Sequence, residues 1–97
     1  MGDEYNNDRN KLMDYIAIEL KYFNQRMTRY ESIYYDTEWK KEELFHFANE
    51  LKEKMQSLTM YPLNMHVKEE KRIDELKVYE FTYYLDGFEI SRFAMLI

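Results

Sequence analysis

Glu43-Leu44-Phe45-His46, followed four residues later by Glu50, is the segment of this chain with the widest chemical repertoire. Residues three and four apart share a helix face, so a carboxylate, an imidazole and a second carboxylate would stand in one column. Carboxylate-bridged metal centres use such a Glu-x-x-His pair, but they use it twice, with further Glu ligands from other helices. Three residues after Asp14 and Glu19 come Ala17 and Tyr22, so a second copy is lacking. The chain also has no cysteine, which excludes thiolate nucleophiles and Cys-based zinc or iron–sulfur ligation. No phosphate-cradling glycine loop, GxSxG or HExxH occurs. His66 stands alone, with no Ser or Asp forced into hydrogen-bond reach by local spacing. No metal, cofactor or catalytic residue is expected, and the 43/46/50 column reads first as a solvated polar face.

Recognition is the remaining chemistry. With Leu44 at the centre of a buried helical stripe, Trp39 lies about 140° away, among Glu42, Glu43, His46, Glu50 and Glu53. A tryptophan on an acidic face suits an interface anchor, because it supplies much area with few rotors. The competing reading folds its ring back over the preceding loop. Tyr15, Ile18 and Tyr22 form a second ridge on helix 1, and with Tyr84 they lack an obvious internal partner. These ten residues are the candidate partner-binding set.

The elements that would position them follow from periodicity. Leu12, Ile16, Leu20, Phe23, Met27, Tyr30 and Tyr34 recur at steps of three and four with no Pro or Gly between Asp8 and Tyr35, which predicts a helix over 8–34, capped by Asn7 or Asp8. A second helix over 37–58 is expected, capped by Asp36 or Thr37 and burying Leu44, Phe47 or Ala48, Leu51, Met55 and Leu58. Alternation predicts strands at 61–68, 77–85 and 88–96, with 68–75 as a charged connection. Asp86-Gly87 predicts a type I′ hairpin that sets Tyr83 opposite Ile90, Phe81 opposite Arg92 and Tyr79 opposite Ala94. The expected fold is α+β: a two-helix antiparallel hairpin on a small three-stranded antiparallel sheet, in the order α-α-β-β-β, as a single domain over 1–97.

Composition bounds the function. Two glycines and one proline in 97 residues, with 18% aromatics, leave little of the loop backbone on which catalytic sites are built. The net charge of −5 disfavours direct nucleic-acid binding, which needs clustered Lys and Arg. No apolar run is long enough to cross a membrane, and the acidic start is unlike a signal peptide, so a cytoplasmic site of action is expected. Scarce Gly, Ala, Pro and Arg beside abundant Tyr, Asn, Lys, Ile and Phe fit an AT-rich bacterial or phage genome. The expectation is a small acidic, non-catalytic protein that occludes a basic surface on a protein partner, such as a nucleic-acid-binding protein. An anti-host or anti-defence inhibitor and an immunity protein both fit that description. The alternative is a self-associating structural protein, a homodimer through helix 1.

Overall fold

A computed structural model describes residues 2–27, 33–73 and 75–97. Helix α1 spans Asp3–Leu20 and buries Tyr5, Leu12, Ile16 and Leu20, while Asp3 and Glu4 place negative charge at the positive end of its dipole. It begins before Asn7 and Asp8, which lie within it and not at its cap. Helix α2 spans Lys41–Gln56 and buries Leu44, Ala48, Leu51 and Met55, a single face at steps of four, three and four. Leu58 falls beyond its end and is exposed. The far ends of the two helices are tied together where Thr59 Oγ1 donates to Asp8 Oδ2 at 2.7 Å. Their near ends meet through Phe23 and Trp39, 5.2 Å apart, so the helices run antiparallel.

They are not, however, a hairpin. Strands β1 (Asn24–Met27) and β2 (Ile33–Asp36) occupy what periodicity predicts as the second half of helix 1. They pair antiparallel, from Asn24 opposite Asp36 to Met27 opposite Ile33, and β2 then runs parallel to β5, with Tyr35 opposite Met95 and Asp36 opposite Leu96. With β3 (Leu63–Ile73), β4 (Leu76–Leu85) and β5 (Phe88–Leu96) this makes a five-stranded mixed sheet in the order β1-β2-β5-β4-β3. The three-stranded antiparallel sheet and the α-α-β-β-β order are thereby overturned. Asn24, Ile33, Tyr34 and Tyr35 are poor helix formers, and the last three favour strands, so an open edge on β5 outweighs the coincidental helical spacing. Tyr30, counted in that spacing, lies outside the described residues. Asp36 belongs to β2, and Thr37 does not cap α2 but accepts a hydrogen bond from Trp39 N–H at 3.2 Å. Lys40 is the N-cap residue, and its backbone N–H donates to Glu43 Oε1 at 3.4 Å.

The charged stretch expected to connect two strands is itself strand as far as Ile73. Alternating Leu63, Met65 and Val67 face the core, while Lys68 and Glu69 keep this sheet edge charged, which discourages further pairing. The β4–β5 turn is as predicted in position: Asp86 has φ 52° and Gly87 φ 86°, the left-handed region a two-residue turn of this type needs. Its register is not. Tyr84 pairs with Glu89 but Tyr83 with Ser91, so Ile90 is an extra, bulged residue, and beyond it Phe81 faces Phe93 and Tyr79 faces Met95. The bulge allows Ile90, Phe93 and Met95, whose sequence parities disagree, all to be buried in the main core. It also turns Arg92 to the opposite surface. There Arg92 sits beside Thr82 and pairs with Glu89 at 2.6 Å and Glu80 at 3.7 Å, instead of lying over Phe81. On that second surface Val78, Ala94 and Leu96 form a small buried cluster with Tyr34 and Leu76.

The core is closed by two tyrosine hydroxyls. Tyr5 donates to the Leu85 carbonyl at 2.7 Å, and the fully buried Tyr83 donates to the Ala48 carbonyl at 2.9 Å. Burial pushes the Tyr83 phenol well above the usual tyrosine range. A raised folded-state value means that stability is intact below the unfolded value of about 10 and falls as pH rises beyond it. Tyr83→Phe should cost about 1 kcal/mol at pH 7 and flatten the alkaline loss, as measured by denaturant unfolding from pH 7 to 11. Leu44→Ala, at a fully buried position, should cost about 2–5 kcal/mol in the same assay at pH 7.

Candidate functional site

The chain leaves α1 at Leu20 and reaches β1 within three residues, and the last of these, Phe23, turns its ring inward. After β2 it re-enters at Trp39, and the first turns of α2 supply Phe47. The three rings pack together, with centroids 5.2 Å apart for Phe23–Trp39, 5.4 Å for Phe23–Phe47 and 5.1 Å for Trp39–Phe47. Edge-to-face geometry between the first two pairs, with the third tilted by 59°, brings ring edges onto ring faces as their quadrupoles prefer. Phe47 also meets Phe93, 6.4 Å away in β5, so the cluster is fixed to the sheet. Trp39 thus folds back onto hydrophobic partners while remaining half-buried.

Above these rings runs the acidic face of α2. Trp39, Phe47, Glu42, Glu43, His46 and Glu50 line an open cleft of about 430 Å³. Glu43, His46 and Glu50 follow one another at helical spacing, and His46 Nε2 lies 3.0 Å from Glu50 Oε1. Lys41 does not offset this charge, because its ammonium lies 5.6 Å from the ring centres of both Phe45 and Tyr79. Those two rings pack on each other away from the cleft. Among the described residues, no group of three or more His, Asp or Glu is placed to hold a metal ion.

Five of the ten residues singled out by sequence therefore converge on one cleft: Trp39, Glu42, Glu43, His46 and Glu50. Glu53 does not join them, and instead borders a neighbouring hollow with Asn49, Lys52 and Gln56, which shares only His46 with the cleft. Ile18 and Tyr22 are 53% and 85% exposed, but Tyr15 packs partly against the core, and Tyr22 lies in the turn beyond α1, so the three do not form one helical ridge. Tyr84 is remote, half-buried on the other sheet surface beside His66 at 6.1 Å. Phe23 and Phe47 are the members of the site that sequence reasoning missed, since each counts equally well as an ordinary core position. For Phe47 the available signal was an aromatic eight residues after the flagged tryptophan, whereas Phe23, sixteen residues before it, gave none.

No protein-family model, curated protein or solved structure matches this chain. No helix among the described residues is long and apolar enough to cross a membrane. Because Trp39 is the sole tryptophan, its fluorescence reports on this site alone. Phe23→Ala should shift that emission to longer wavelength and lower stability by about 2 kcal/mol, as read by fluorescence-detected denaturation.

Proposed function

We propose that this chain is a small acidic, non-catalytic protein that docks on a basic surface of a partner protein and occludes it, with the Trp39 cleft at the centre of contact. The observation that supports this most directly is the joining of a half-buried tryptophan to Glu42, Glu43 and Glu50 in one open cleft. Aromatic anchors in partly desolvated pockets carry most of the energy of protein interfaces. A carboxylate rim speeds encounter with a basic partner and rejects acidic ones. The cleft covers only part of the roughly 800 Å² that each partner contributes to a standard interface, so surface around it would share in the contact. Proteins that bind nucleic acids present basic surfaces of the required kind, and carboxylates spaced along a helix can stand in for phosphates there. Occlusion of such a surface is the action of an inhibitor or an immunity protein.

Affinity capture from the native cell extract tests this reading when wild type is compared with the double charge reversal E43K/E50K. A basic protein retained by wild type should be lost with the variant, and wild-type retention should weaken as salt rises. Equal retention by both proteins would reject the docking face. A second reading, self-association, draws on the exposure of Ile18 and Tyr22. Sedimentation should then show a dimer that Ile18→Glu dissociates without changing the circular dichroism, whereas a concentration-independent monomer would reject it.

A further inference from the structure

Resting on that docking reading, we infer that the cleft takes an arginine side chain of the partner, with the guanidinium against the Trp39 and Phe47 rings and its N–H groups directed to the Glu42 and Glu43 carboxylates. The cleft is lined by Trp39, the ring type that attracts cations most strongly, and by Phe47, packed against it with centroids 5.1 Å apart and planes tilted by 59°. A planar, weakly hydrated guanidinium can lie against an indole and still present a fork of donors to neighbouring carboxylates. A compact ammonium keeps its hydration shell and can do only one of these.

Charge at the rim is also left unspent. Glu42 makes no ion pair among the described residues, and Glu43 gives one oxygen to the Lys40 backbone and keeps the other. Arg26 and Arg92 are committed elsewhere, to Asp36 and to Glu80 with Glu89. Glu50, whose Oε1 already meets His46 Nε2 at 3.0 Å, lies seven residues beyond Glu43, about 10 Å along the helix, and so stands apart from the Glu42 and Glu43 pair.

Titration of Trp39 fluorescence tests this with three capped pentapeptides, Gly-X-Gly-X-Gly, where X is arginine, lysine or the neutral isostere citrulline. The arginine peptide should give a saturable change, the lysine peptide should bind about tenfold more weakly, and citrulline should give no saturable change. The double variant E42Q/E43Q, with both substitutions on exposed side chains, should weaken arginine binding at least about tenfold at unchanged circular dichroism. No saturable response to arginine, or an equal response to citrulline, would overturn the assignment. If the arginine peptide fails while partner capture is still abolished by E43K/E50K, the docking reading stands and the arginine assignment falls. If capture survives E43K/E50K, both fall.

Discussion

The parallel pairing of β2 with β5 is the constraint on which the rest of the molecule depends. Without it, the residues after Leu20 would have no sheet edge to join, and β2 would have to satisfy its backbone groups in some other way. With it, the chain travels from the end of α1 to the edge of the sheet and returns at Thr37, whose N–H donates to the Leu96 carbonyl at 3.2 Å. Departure and return lie close together, which is why Phe23 and Trp39, sixteen positions apart, can share a ring contact. The same pairing fills the second sheet surface, since successive residues of β2 point to opposite sides: Tyr35 packs on the main core and Tyr34 on the smaller cluster.

Acidity beside the tryptophan has a structural reason as well as a functional one. Glu42 and Glu43 occupy the first turn of α2, where unpaired N–H groups and the aligned peptide dipoles favour negative charge. A helix that begins next to an aromatic cluster therefore brings carboxylates to it at little energetic cost. Glu50 lies two turns further on and receives no such support, which makes its placement over the cleft the more telling of the three.

Legibility in the sequence followed the strength of local signals. Alternation at Leu63–Val67, the Asp-Gly turn, the buried stripe of α2 and the burial of Leu12, Ile16 and Leu20 were all readable, because each depends on neighbours within a few residues. The β1–β2 hairpin was not, because Phe23, Met27, Tyr30 and Tyr34 satisfy a helical period by coincidence and the decisive partner, β5, lies sixty residues away. Low helix propensity at Ile33–Tyr35 was the clue that spacing concealed. Half of the candidate site was legible because α2 was placed correctly, so the relative positions of Glu42, Glu43, His46 and Glu50 survived. Tyr84 was assigned for want of an internal partner and Glu53 by its angle round the helix, and neither criterion says which residues stand together.

The Ile90 bulge carries a further consequence for how the β4–β5 ribbon finds its alignment. An unbulged ribbon from the same turn would bring Arg92 against Phe81, beneath the helices, and expel Phe93 and Met95 to the outside. Desolvating a guanidinium among aromatic rings is costly, and in the native alignment the same group meets Glu80 and Glu89 instead. The native alignment thus keeps the Arg92 charge outside the main core, paired with carboxylates, where the simpler arrangement of a tight two-residue turn would bury it.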